Sequence, residues 1–387
     1  MNFEKLDHFL TNIDVFGVPN CDCAVTFRHE PVFRKIVGYT NVEKTKPACE
    51  EDIYFLYSGS KITLATAVMQ LVEQGKLKLD DPASRFFPEF DTLPVKDGDK
   101  LIPCKTKATI EHLFSMQGGL KYDFDNPSMW ALLKENPAAS TQEALHAYLK
   151  EPLEFEPGTH FLYSMCLDVL GGIVEMVSGE RYSDYVKNHI AAPLGWKVCE
   201  FHVTPEIEPY MPQQYQFDLS AMTVAKEFCM KPMPNTNFGI FGENYDSAGA
   251  GLITRVSDYM TLIDALSNDG IAMNGAQILT RRSIDDMRTD RLITKEKIAE
   301  HAINMFDYGY GYGLGVRTLV DDRISESPIG EFGWDGNAGA FMLCDVENKI
   351  SITYLMSVPG IIPVKQGIHN RLRDLTYEAL KGEIRHG

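Results

Sequence analysis

Strand-like sequence lies at both ends of this 387-residue chain and helical sequence fills its middle, a distribution that limits the possible folds more than any other feature. Near the start, CDCAVTFRH and VFRKIVGYT read as two strands joined by a His-Glu-Pro turn, behind an amphipathic helix over residues 3–16. After about residue 305, GYGLGVRTLV, AGAFMLCDV and KISITYLMS return to strand pattern, and GIHNRLRDLTYEALKG closes the chain as a helix. Between them run helical patterns (ATIEHLFSM, TQEALHAYLK, LDVLGGIVEMVS, SDYMTLIDALSND) joined by Pro-rich connectors such as EPLEFEPGTHF and EPYMPQQY. Strands drawn from the two termini into one sheet imply an α+β fold. We expect an antiparallel sheet flanked by helices, built from residues 1–78 and 305–387, with a mainly helical second domain over 79–304.

A hydrophobic content of 44% is enough for a core of that size. The net charge of −17 repels phosphate backbones and anionic lipid head groups, so no nucleic-acid partner and no membrane association is expected. No stretch approaches the roughly 18 uninterrupted apolar residues of a membrane span. MNFEKLDHFLTNIDVF lacks the basic start and apolar run of a signal peptide. The eight cysteines are scattered; Cys21 and Cys23 share one face of a strand but have no partner pair at zinc spacing. Reduced thiols in a cytoplasmic protein are the expectation.

The chemistry begins at LYSGSKITLATAVMQLVEQGKL, which predicts a helix from Ser58 to about Gln74, stopped by Gly75. Ser58 and Lys61 are three apart, hence on one helix face, about 5–6 Å apart between Cβ atoms. Ile62, Ala65, Met69 and Val72 recur at helical spacing and should pack inward, and Gly59 leaves room for another backbone. A serine hydroxyl is a poor nucleophile until a base takes its proton, and a lysine can be that base when its surroundings lower its pKa. Ser-x-x-Lys alone is weak evidence, since about one match per chain of ordinary composition arises by chance. Taken alone, the pair reads as an N-capping serine and a solvated lysine.

The flanking sequence reverses that balance. FLYSGSKITLATAVMQLVEQGKLKLDDPASRFFPEF resembles the serine β-lactamase and penicillin-binding-protein family, most closely the esterase members of its class C-like branch. TIEHLFSMQGGLKY, EPLEFEPGTHFLYSMCLDVLGGIVEMVSGERYSDYV, IAAPLGWKVCEF, SAGAGLITRVSDY and EFGWDGNAGAFMLCDVENKISITYLMS follow in the family's order, from about residue 20 to the end. The resemblance implies a β-lactamase/transpeptidase-like fold and three elements around one pocket. The first is Ser58 and Lys61. The second, Tyr-x-Asn in the family, is here Tyr163-Ser164-Met165. The third, Lys-Thr-Gly or a His variant, is here Trp334-Asp335-Gly336. No Lys-Thr-Gly or Ser-Asp-Asn occurs in this chain, so class A is a poor fit.

The departures have physical meaning. Trp334 supplies a flat apolar wall and one N–H in place of a cation, and Met165 has no amide to orient. Both make the pocket less anion-seeking. Asp335, beside it, either discourages anionic substrates further or points outward. The resemblance implies Ser58 as nucleophile, Lys61 and Tyr163 as a coupled base network, and backbone N–H groups of Ser58 and Asn337 for the oxyanion. Small residues at 338–340 would let substrate lie along the strand. Tyr122, after Gly118-Gly119-Leu120, is a further candidate for the pocket wall, and the aromatic, Pro-rich segment 205–241 a candidate lid.

The expected function is a serine hydrolase working through a covalent acyl-enzyme: a carboxylesterase or acyltransferase on a small, mostly uncharged ester, with no metal or cofactor. The alternatives are an amide-cleaving β-lactamase or D-amino-acid peptidase, and a catalytically inactive ligand-binding homologue. The sequence says nothing of oligomeric state. YGYGYGLGV lacks the third glycine of a dinucleotide fingerprint and the lysine of a phosphate loop, and reads as a strand against a crowded neighbour.

Overall fold

The computed structural model describes residues 1–122, 125–217, 230–235, 242–292, 309–360 and 362–384. Parts of the expected lid (218–229 and 236–241) and the expected boundary near residue 305 lie outside them.

The strands are β1 Asn20–Phe27, β2 Glu30–Gly38, β3 Tyr54–Phe55, β4 Pro94–Asp97, β5 Lys100–Pro103, β6 Gln214–Phe217, β7 Met230–Met233, β8 Ile253–Thr254, β9 Tyr310–Tyr312, β10 Arg317–Leu319, β11 Phe332–Asp335, β12 Phe341–Asp345 and β13 Ile350–Met356. The helices are α1 Glu4–Thr11, α2 Ser60–Glu73, α3 Ile110–Phe114, α4 Pro127–Glu135, α5 Thr141–Tyr148, α6 Cys166–Ser178, α7 Tyr182–Val186, α8 Ala192–Leu194, α9 Val256–Ser267, α10 Arg281–Arg288 and α11 Ile362–Leu380.

Seven strands form one sheet in the order β2-β1-β13-β12-β11-β10-β9, so the two ends of the chain meet where β1 pairs with β13. Every pairing in this sheet is antiparallel. β1 and β13 are buried along their whole length because both faces of the sheet are covered. On one face Cys21, Cys23, Val25, Leu343, Ile352 and Tyr354 pack against Leu6 and Leu10 of α1 and Leu372 and Leu375 of α11. Cys21 and Cys23 thus share a face, as their spacing predicts, and burial lifts both thiols far above the ordinary range.

The opposite face carries Ala24, Trp334, Met342 and Cys344 into the larger core, together with α2, α6 and α9. α9 lies directly on β1, β12 and β13, although its sequence falls within the 79–304 stretch expected to form the helical domain. Periodicity identifies the helix; only the tertiary fold determines which layer it joins. α2 is buried nearly all round, with Leu64, Ala67 and Val68 enclosed as fully as Ile62, Ala65 and Met69. It is the central helix of the molecule, held between the sheet and α6.

The alternating glycines of 309–315 serve close packing. A Cβ on Gly311 would lie 2.3 Å from Asp290 Oδ1, and one on Gly313 would lie 1.9 Å from the Met287 carbonyl oxygen. Among the described residues no helix is long and apolar enough to cross a membrane.

Candidate active site

The start of α2 is set by the turn before it. β3 leads into a 3₁₀ turn, Tyr57–Gly59, and Tyr57 has a φ of 48°, a left-handed conformation uncommon for a bulky residue. Four contacts hold that turn. Ser60 Oγ donates to the Tyr57 carbonyl (2.6 Å) and accepts from the Leu252 N–H (3.0 Å). Tyr259 Oη donates to the Gly59 carbonyl (2.7 Å), and Tyr57 Oη donates to Gln214 Oε1 (2.6 Å). Burial pushes the Tyr57 phenol up to about 12. The α-helix proper begins at Ser60, so Ser58 stands on the turn just ahead of it, half-buried, at the positive end of a 14-residue helix.

Ser58 Oγ meets two groups. Tyr163 Oη donates to it at 2.6 Å and Lys61 Nζ at 3.1 Å. Lys61 is fully enclosed and donates a second hydrogen bond, 2.7 Å long, to the Gly249 carbonyl. Its ammonium nitrogen lies 4.8 Å from the centre of the Tyr163 ring and 5.9 Å from that of Tyr122. Tyr163 precedes α6 and is placed by backbone hydrogen bonds from Leu162 to Met116 and from Met165 to Lys121.

Aromatic rings wall this group. Tyr122 stacks on Tyr163 (5.5 Å, 10°), Tyr163 on Trp334 (5.8 Å, 22°), and Tyr312 meets Trp334 edge-on (5.2 Å, 85°). Burial, with Asp168 and Tyr163 nearby, lifts the Tyr122 phenol well above its usual range. Gly336 brings β11 against the nucleophile turn: a Cβ there would lie 2.2 Å from the Leu56 carbonyl oxygen. Gly336→Ala must therefore push strand and turn apart. We expect kcat/KM to fall by about 10²-fold, the scale of a 1 Å misplacement, with far-UV circular dichroism unchanged.

The structure thus brings Ser58, Lys61, Tyr163, Tyr122 and Trp334 together, with Gly336 behind them. Asp335 takes the other side of the strand. Arg317 Nη1 donates to its Oδ1 at 2.6 Å, and His369 Nδ1 lies 3.7 Å from its Oδ2. Of the two directions open to Asp335 in the sequence, this is the outward one. Met165 does not reach the site surface; it is wholly buried in the core at the N-cap of α6. Asn337 is exposed at the turn after β11, where its carbonyl accepts from the Gly360 N–H at 3.3 Å. The small residues after it build that turn rather than a substrate-bearing strand. Gly339 has φ 100° and a Cβ there would meet the Met356 side chain at 2.0 Å, while Ala338 packs with Phe55 and Tyr57.

Two site residues went unnoticed in the sequence. The Gly249 carbonyl, being backbone, leaves no side-chain signal. Asp168 does leave one: it is a lone carboxylate in the apolar run LDVLGGIV, and it is 2% exposed. It accepts from Ser247 Oγ (2.8 Å) and Tyr245 Oη (3.1 Å), and the Gly249 N–H is also directed at it. Burial raises its pKa; the positive charge of Lys61 works against that rise. Among the described residues no group of three or more His, Cys, Asp or Glu side chains is arranged to hold a metal ion.

A two-sided antiparallel sheet, a central helix headed by Ser-x-x-Lys, and a phenol on the serine oxygen define the serine β-lactamase and penicillin-binding-protein class of fold. Residues 17–374 match the family described as Beta-lactamase, and the chain belongs to that family. Among its relatives, the esterase EstB of Burkholderia gladioli is 26% identical over 375 residues, covering 90% of each chain. The acyltransferase CalJ of Penicillium decumbens is 25% identical over 348 residues, covering 81% of this chain and 78% of its own. Among solved structures, unliganded simvastatin synthase (LovD) of Aspergillus terreus superposes with a TM-score of 0.79 at 18% identity, over 99% of each chain.

Proposed function

We propose that the protein is a serine hydrolase that forms a covalent acyl-enzyme at Ser58, acting as a carboxylesterase or acyltransferase on small, mostly uncharged esters. The observation that carries this reading is one oxygen, Ser58 Oγ, contacted at 2.6 Å by a phenol and at 3.1 Å by a buried amine. In the first half-reaction, with one proton already lost from the Lys61–Tyr163 pair, Ser58 Oγ bonds to the ester carbonyl carbon as its own proton passes into that pair. Collapse of the tetrahedral intermediate breaks the bond to the alcohol, which leaves with that proton. Water, or a second alcohol, reverses the sequence to release the acid or a new ester. The backbone N–H groups of Ser58 and Asn337 are the proposed oxyanion donors. EstB and CalJ, named as an esterase and an acyltransferase, support this reading over an inactive homologue.

The wall favours esters over β-lactams. Trp334 offers an apolar face where a cation would be needed to hold a carboxylate, and Asp335 is engaged by Arg317 on the far side of the strand. Against a panel of p-nitrophenyl esters and a chromogenic cephalosporin, kcat/KM for the best ester should exceed that for the cephalosporin by at least about 10²-fold, on the order of one lost charged contact. Faster cephalosporin turnover reverses the order. A cytoplasmic location belongs to the same proposal, with subcellular fractionation as its check.

A further inference from the structure

We propose that Asp168 is the positioning residue for Lys61. It ties down the 245–249 turn whose Gly249 carbonyl receives the lysine, and it sets a negative charge beside the lysine nitrogen. This deepens the reading above and depends on it. Three observations carry it.

First, the carboxylate and the ammonium share one small space. The position a Cβ would take on Gly249 is 2.5 Å from Asp168 Oδ2 and 3.4 Å from Lys61 Nζ. The two charges are therefore within about 6 Å, the range over which opposite charge favours ionisation. Second, the carboxylate is built in. It is 2% exposed and bonded by Ser247 and Tyr245, both on the segment that also carries Gly249. A residue that held only the loop could do so with a neutral amide; a buried carboxylate beside a buried lysine adds charge. Third, Met165 has no amide to offer toward Lys61, whereas Asp168, three residues further along α6 and so on the same helix face, places its carboxylate within about 6 Å of the lysine nitrogen.

Among the described residues, the phenols facing this pair are Tyr163 and Tyr122 across Lys61, Tyr245 on the 242–252 segment and Tyr182 on α7; Asp246, in the same turn, is engaged by Arg181 and His202. Burial lifts the phenols of Tyr122, Tyr245 and Tyr182 well above their usual range and the Asp246 charge is met by Arg181 and His202, so Asp168 is the carboxylate left to balance Lys61. Gly249 needs its missing Cβ for the same reason, since any side chain would separate carboxylate from amine.

The test is the rate of active-site labelling by a fluorophosphonate as a function of pH, which needs no knowledge of the natural substrate. In Asp168→Asn the ionisation that limits labelling on the acid side should move down by about 1 pH unit or more, because losing a nearby anion eases deprotonation of every member of the unit. Asp168→Glu, which disturbs packing at the same place but keeps the charge, should retain the wild-type midpoint. Ser247→Ala, which loosens the turn but keeps the carboxylate, should slow labelling without moving the midpoint. If Asp168→Asn does not fold, Asp168→Glu against Asp168→Gln makes the same charge comparison. A slower Asp168→Asn with an unmoved midpoint overturns the proposal and leaves Asp168 as a loop tie alone. Wild-type protein that does not label at all overturns the enzymatic reading instead, so the two failures are distinct.

Discussion

Ser58→Ala is expected to lower kcat/KM for an activated ester by on the order of 10⁴–10⁶-fold, while leaving the thermal midpoint within about 2 °C. The loss should be near-total because no neighbouring hydroxyl can take over. Ser60, the nearest aliphatic hydroxyl in sequence, is 1% exposed, with its Oγ committed to the Tyr57 carbonyl and the Leu252 N–H, and the Tyr57 phenol is committed to Gln214. The fold should survive because those same Ser60 bonds, and Tyr259 on the Gly59 carbonyl, hold the turn without Ser58. Steady-state rates on p-nitrophenyl esters beside a calorimetric melt check both parts. A loss below about tenfold would mean another group carries the chemistry.

Lys61→Met is expected to cost about 10²–10⁴-fold in kcat, the usual value of a positioned general base. Tyr163→Phe should fall in the same range. The double variant should be little worse than either single one, because both act on the same proton. Lys61→Met also has a structural consequence. It leaves the Gly249 carbonyl without its lysine donor and the Asp168 carboxylate without its opposite charge, both side chains being buried. Lys61 and Asp168 are charge neighbours rather than a direct ion pair, so the cost falls below the roughly 3–5 kcal/mol of breaking one, and proton uptake by Asp168, whose pKa burial already raises, lowers it further. Lys61→Met/Asp168→Asn should therefore recover stability in urea melts relative to Lys61→Met, and recover no activity. Recovery of both would remove Lys61 from the mechanism.

Much of the architecture was readable because it rests on local pattern. Alternation marks β1 and β13, short apolar runs mark β2 and β12, and finding them at opposite ends of the chain points to a sheet that joins the two termini. The Ser58–Lys61 pair was readable because three residues along a helix is a fixed geometry, even though the regular helix starts two residues later than the pattern suggests. Tyr163 comes from another element 105 residues away. No periodicity connects it to Ser58, and resemblance alone placed it at the site. The side taken by Asp335 was legible in principle. Neighbours on a strand face opposite ways, so a Trp334 turned to the pocket sends Asp335 to the other face. Met165 shows the limit of carrying a motif over: the position is retained, but an apolar side chain there joins the core instead of the site. The α9 layer and the Gly249 carbonyl depend on how distant segments pack, which no local window contains.

The central claim is that Ser58 becomes acylated. Intact-protein mass spectrometry after brief exposure to a fluorophosphonate, followed by peptide mapping, reads this directly. We expect one adduct per chain on the peptide containing Ser58, and none in Ser58→Ala. An unmodified wild-type protein, or an adduct that persists in Ser58→Ala, would contradict the assignment.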